Sequence, residues 1–465
     1  MVEPAAPDIS PARFTKRLWQ FAFAVALWSI LIAVAGVVTG TVASRATSGT
    51  HFLDRIGGDF LAFYTAGHFV RTGQADLLYS TEAVATFQRD LSQTVPIAAE
   101  GAAPWWNPPQ FALPFVPLSL LWFQHALIVW YAILLAALAA SIAIVIRLVN
   151  CSGSNKLLVA ILVLVAPATH QALTHGQSTP LSLLILSSAV VLAIGEGSRR
   201  AVLAGLVLSL LFYKPQLAVV AAIALVCLRG RHAFLGLLIG GLTQVLAVML
   251  IMPGSLHAFA LDMPAALHAF QSNRPYDWHR HATALSMYRQ LVQGPDAGET
   301  LPIVKTLTQV TAAVAGLCLL TLGVLWRRHA PRQRDIRPPL ALAILATPII
   351  VPFYFDYDLM LFAIPAAIFA RLHAEGTVRI TTPVLVLSGL LYFSLGFDQQ
   401  AIYNATSDWL PWLSHVNLRA VLVLAIFVLT GRAVMRATVT SIDDSTVARR
   451  TLAVTTSSNG MIRPN

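Results

Sequence analysis

Apolar residues run through this chain in stretches long enough to cross a bilayer, separated by short polar or basic segments. Leu18 to Thr41, Leu127 to Ile146, Ala233 to Met252, Val310 to Trp326 and Val416 to Met435 each reach the roughly 17 to 25 residues a helix needs to traverse hydrocarbon. Lipid offers no partner to an unpaired backbone amide, so these runs predict helices. Two hairpin arms, Ala201 to Tyr213 and Leu340 to Pro352, are only about 13 residues each, roughly 20 Å of helix against about 30 Å of hydrocarbon. Their polar tips, Lys214-Pro215-Gln216 and Phe353 to Asp358, are predicted to sink below the surface, where such backbone survives only inside protein or beside a wet cavity.

Composition agrees with this pattern. The 465 residues are 57% hydrophobic and 11% charged, against roughly 25% charged in soluble domains, and the mean hydropathy is +0.69. The predicted fold class is an all-α integral membrane protein, a polytopic bundle of about 11 to 12 crossings, with Leu18 to Thr41 a retained helix rather than a signal peptide. Cys151, Cys227 and Cys318 show no C-x-x-C spacing, so they read as packing residues and not as a disulfide or zinc framework.

The net charge of +10 decides orientation rather than a nucleic-acid partner, because the basic residues sit beside the apolar runs. Arg13, Lys16 and Arg17, Arg147 and Lys156, Arg199 and Arg200, Arg229 and Arg231, Arg327 to Arg337, Arg371 and Arg379, and Arg449 and Arg450 form the positive-inside pattern. Placing each group in the cytoplasm gives cytoplasmic termini, a tail at 1–17, one membrane domain at 18–435, and a disordered tail at 436–465. Two long loops, 44–122 and 253–302, then lie outside. The first carries helical spacing from Asp59 onward and again from Ser80 to Gln93, both suited to the membrane interface. Pro114 to Trp122 reads either as a re-entrant helix or as an extension of the next crossing.

Candidate chemistry gathers on the outer side. Asp59, in Gly57-Gly58-Asp59-Phe60, is either the N-cap of the following helix or a carboxylate that accepts the proton of an attacking hydroxyl. Lys214 stands in an otherwise apolar stretch, where an ionisable group is costly; it either snorkels to the interface or binds a phosphate. Asp356, Tyr357 and Asp358 either solvate a turn or bind sugar, and His175-Gly176-Gln177 either ends a helix or offers donors and acceptors. The second loop holds Asn273 to His281, a polar and aromatic cluster containing Arg274, fit to hold a sugar or phosphate or simply solvated. His279 and His281 alone are a weak metal signal, and no metal site is assigned.

Gly58-Asp59-Phe60 with Tyr64 and Ala66, Leu78-Tyr79, Asn107-Pro108-Pro109, Gly176-Gln177, Lys214-Pro215 and Tyr357-Asp358-Leu359, in this order, resemble glycosyltransferase family 87. The resemblance implies a GT-C fold and transfer of a sugar, mannose above all, from a polyprenyl-phosphate donor to a glycolipid or glycan acceptor. It places the reaction on the extracytoplasmic face of a bacterial plasma membrane, without a further cofactor. It makes Asp59 the catalytic carboxylate. Substrate contacts fall to Lys214 and Arg274 for the donor phosphate, to Gln177, Tyr357 and Asp358 for the sugar, and to His175 and Asn107. The rival reading is a transporter or flippase of an anionic lipid or metabolite, with Lys214 as its clamp.

Overall fold

The computed structural model of the protein describes residues 56–95, 102–273, 276–294, 298–329, 335–397, 399–406 and 408–459. The first predicted crossing and Arg274 lie outside these. The helices are α1 Phe60–Arg71, α2 Thr81–Thr94, α3 Phe123–Val149, α4 Ser154–Leu164, α5 Pro167–His175, α6 Thr179–Ile194, α7 Ser198–Ser209, α8 Pro215–Arg229 and α9 Arg231–Ile251. They continue as α10 Ser255–Ser272, α11 Ala284–Gln293, α12 Pro302–His329, α13 Arg337–Ile350, α14 Ala363–Ala374, α15 Thr382–Ser394, α16 Gln399–Thr406 and α17 Leu418–Asn459. Residues 436–459, expected to be a disordered tail, thus continue the last helix.

Five described helices are long and apolar enough to cross a membrane, or six if the bent pair α4 and α5 is one span. Pro167 opens α5 and sets the 48° break, because its ring cannot continue the preceding ladder. Shorter apolar helices, among them α6, α8, α13 and α15, fill the bundle between them. This is a polytopic helical membrane protein. Large apolar side chains on α9 and α12 remain exposed, as lipid-facing positions require. Cys227 and Cys318 are exposed too, so they are not the packing residues their apolar surroundings predicted.

Two packing solutions position the site. Glycines let α7 and α9 touch backbone to backbone: a Cβ on Gly205 would lie 2.2 Å from the Ala233 carbonyl oxygen, and one on Gly236 2.0 Å from that of Val202. That contact anchors α7, whose far end leads into Lys214. Around the start of α1, Phe60, Phe63, Phe115 and Trp130 form a buried aromatic cluster, with Phe63 stacked on Phe115 at 4.9 Å. Such pairs contribute about 0.5–1.5 kcal/mol each beyond area burial. Helix α1 is therefore packed on nearly every face by protein, not laid in an interface, whereas α2 buries only Val84 and Gln88.

Pro114 to Trp122, in the segment that starts at Pro109, forms neither a re-entrant helix nor an extension of α3. That segment makes two 3₁₀ turns, Pro109–Phe115 and Leu118–Leu120, folded onto α1 through Tyr64 Oη to the Leu121 carbonyl (2.9 Å) and Arg71 Nε to Ser119 Oγ (3.1 Å). Prolines 109, 114 and 117 deny it a longer ladder.

Candidate active site

Helix α5 ends at Gly176, which turns left-handed (φ +69°) and leaves the last carbonyls of the helix open. The segment before α1 docks on them: Gly57 N–H donates to the Thr174 carbonyl at 2.9 Å, and Asp59 N–H to that of His175 at 3.0 Å. Trp130 Nε1 donates to the Gly176 carbonyl at 2.8 Å and braces the turn from α3. Asp59 occupies the N-cap position of α1, yet its side chain makes no capping bond. Its Oδ2 instead accepts from Gln177 Nε2 at 2.7 Å. Of the two readings of this acid, the simple cap is set aside.

Lys214 ends the 3₁₀ turn Leu210–Tyr213, and Pro215, with no N–H to satisfy, starts α8 directly after it. Lys214 is 5% exposed, and its ammonium donates to Asp358 Oδ1 (3.2 Å) and Gln177 Oε1 (3.3 Å), with the Tyr357 ring centroid 5.1 Å away. It does not snorkel. Thr179 Oγ1 also donates to Asp358 Oδ1, at 2.9 Å. Asp358 is 1% exposed and Asp356 2%, so the acids at this tip are interior groups rather than a solvated turn. Asp59, Gln177, Lys214 and Asp358 thus form one hydrogen-bonded chain drawn from four separate stretches of sequence.

The second long loop meets the segment that carries Asp358 at an antiparallel bridge, His281 to Phe355, in which Ala282 N–H donates to the Tyr354 carbonyl at 2.8 Å. The bridge lays Arg280 over the stacked rings of Phe355 and Tyr357, 5.9 Å from each centroid. Arg280 also shares Asp356 with Arg419: its Nε lies 3.4 Å from Oδ2, and Arg419 Nη1 lies 2.9 Å from the same oxygen. Burial alone would lower the Arg280 pKa, but Asp356, Tyr357 and Asp59 raise it above the ordinary arginine value. The Arg280 side chain is 24% exposed, the most open of the three cations.

The polar loop that the sequence marks thus contributes Arg280, a residue not singled out within it, while Arg274 lies outside the described residues. His281 is buried against Phe355 and pairs with the Tyr276 hydroxyl at 2.8 Å. Burial pulls its pKa down to about 3. His175 contributes its carbonyl to Asp59, while its Nδ1 pairs with the Gln171 carbonyl at 2.8 Å and its ring faces Tyr357. Asn107 is not joined to the network by any hydrogen bond among the described residues; its carbonyl accepts from Tyr79 Oη at 2.8 Å. Among the described residues, no three His, Cys, Asp or Glu side chains converge as a metal site requires.

Fold and site together define a membrane protein whose helices and connecting turns gather acids, cations and stacked aromatics into one cluster. More specifically, the chain belongs to glycosyltransferase family 87, whose family model matches residues 105–355, more than half of it. It is a membrane glycosyltransferase, which decides against the transporter reading. The matched stretch holds Gln177, Lys214 and Arg280 and stops just short of Tyr357 and Asp358; Asp59 precedes it. No curated protein and no solved structure matches the chain significantly.

Proposed function

We propose that this glycosyltransferase, built as a GT-C bundle, moves mannose from a polyprenyl-phosphate donor to a hydroxyl of a glycolipid or glycan acceptor. The reaction takes place on the extracytoplasmic face of a bacterial plasma membrane, with both termini in the cytoplasm and no further cofactor. The observation that carries this reading is the hydrogen-bonded chain from Asp358 through Lys214 and Gln177 to Asp59, which holds one oxygen of a half-buried carboxylate beside stacked aromatic rings.

In the transfer, the acceptor oxygen attacks the anomeric carbon and its proton passes to Asp59 Oδ1, since Oδ2 is held by Gln177. The bond from the anomeric carbon to the phosphate oxygen breaks, with inversion, and the polyprenyl phosphate leaves with the electron pair. Arg280, whose Nε and Nη2 face Asp356, meets that charge with its remaining guanidinium donors. Arg274, in the same loop, is assigned to the same phosphate, whereas Lys214, less exposed than Arg280, is held by Asp358, Gln177 and the Tyr357 ring. Tyr357 and Phe355 offer a stacked aromatic wall to the sugar.

The test is purified protein in liposomes with radiolabelled polyprenyl-phosphate mannose and a lipid extract as acceptor source. Label passes into a glycolipid or glycan product with the wild type, and Asp59→Asn abolishes this. Transfer that survives Asp59→Asn, or no transfer from any polyprenyl-phosphate sugar, would falsify the proposal.

A further inference from the structure

The order of atoms between Lys214 and Asp59 permits only one arrangement. An ammonium carries three donors and no acceptor, so the atom of Gln177 that faces Lys214 must be its carbonyl oxygen. The amide nitrogen then necessarily faces Asp59, and it lies 2.7 Å from Oδ2. Asp358 in turn holds Lys214 in place, itself fixed by Thr179 Oγ1 at 2.9 Å. A glutamine amide looks nearly the same either way round, and here its neighbours alone decide which end meets the acid.

We propose that Lys214 is a positioning residue: through Gln177 it fixes the orientation of the Asp59 carboxylate, with Oδ2 engaged and Oδ1 left for the acceptor hydroxyl. This rests on the reading of Asp59 as the catalytic carboxylate. Without the ammonium, the amide is free to turn its oxygen toward Asp59. Two facing oxygens repel unless a proton sits between them, and Asp59 carrying that proton cannot accept another.

Gln177→Glu tests the lock without changing shape. One carboxylate oxygen still meets Lys214, but the other meets Asp59, and the pair must share a proton. Lys214→Met removes the lock, and Lys214→Arg keeps a donor-only partner for the Gln177 oxygen. Because loss of Lys214 leaves Asp358 unpaired, the isosteric Gln177→Glu carries the test if the methionine variant does not fold.

The first readout needs no substrate. With ¹³C-labelled aspartate, the infrared difference between each protein and its Asp59→Asn counterpart isolates the Asp59 band and the pH at which it converts from carboxylate to acid. Gln177→Glu and Lys214→Met are expected to move that conversion upward by about one pH unit or more, and Lys214→Arg to leave it in place. In transfer assays, the acid limb of kcat moves with it while donor KM stays within about twofold. An unmoved conversion in folded Gln177→Glu sinks the inference. So does a tenfold rise in donor KM with an unmoved conversion in Lys214→Met, which would make Lys214 a phosphate contact. A shifted infrared conversion in a protein that transfers no sugar leaves the lock standing and removes the transferase reading of Asp59 instead.

Discussion

Gly176 and Gly57 meet so closely that a Cβ on Gly176 would lie 3.0 Å from the Gly57 Cα. That approach lets Asp59 and Gln177 come from opposite sides of one backbone turn. Gly176→Ala is therefore expected to cost about 1–2 kcal/mol from the left-handed backbone alone. It should also push the two segments apart, and a misplacement near 1 Å lowers transfer by about 100-fold. Gly73→Ala is the control: Gly73 has φ +74° but nothing within 4 Å of a Cβ, so it should lose comparable stability and keep its rate. Thermal unfolding in detergent and kcat on the same samples separate the two effects; equal rate losses in both would refute the positional account.

That contact also marks the limit of what the chain reveals before folding. The apolar runs announce their helices because lipid dictates both length and conformation, and the shortness of the α7 and α13 arms correctly places Lys214 and Asp358 in the interior. The bond from Gln177 to Asp59 spans 118 residues, and no local rule encodes it. The placement of Arg280 was equally illegible. It belongs to a long polar loop, and the bridge from His281 to Phe355 brings it over the aromatic pair. Helix α1 looked interfacial because its partners, Phe115 and Trp130, come from later segments.

Asp356 neutralises two arginines at once, so Asp356→Asn leaves Arg280 and Arg419 facing each other without a counter-charge. Removing one partner of a buried ion pair typically costs about 3–5 kcal/mol. The double variant Asp356→Asn with Arg419→Met removes one surplus cation and is expected to recover part of that loss. A double-mutant cycle on unfolding measures the coupling. Strict additivity would show that the shared carboxylate is not what holds the two arginines.

His281 makes stability depend on pH with a definite sign. Its folded pKa of about 3 lies below the ordinary 6.5, because burial penalises the imidazolium more than Asp356 favours it. As pH falls from 6.5 toward 3, the unfolded chain takes up a proton that the folded chain refuses, so stability drains away across that window. Between pH 6.5 and 5 the loss is about 2 kcal/mol. His281→Gln removes this contribution, so its melting temperature should fall less than that of the wild type between pH 7 and 5. Parallel curves for the two proteins would count against it.

The contact between α7 and α9 offers the sharpest test of how packing far from the chemistry supports it. A methyl group on Gly236 would sit 2.0 Å from the Val202 carbonyl oxygen, a backbone atom that cannot rotate away. Gly236→Ala must therefore force the helices apart, and overpacking of this kind costs about 1–3 kcal/mol. Because α7 leads into the turn that carries Lys214, the same change should loosen Lys214 from Asp358 and lower kcat. Gly316→Ala, on the lipid-exposed α12 with nothing within 4 Å, adds the same methyl group to open space and is expected to cost neither stability nor rate. If Gly236→Ala melts and turns over like Gly316→Ala, the close crossing does not anchor the site, and the placement of Lys214 must come from α8 and the buried acids alone.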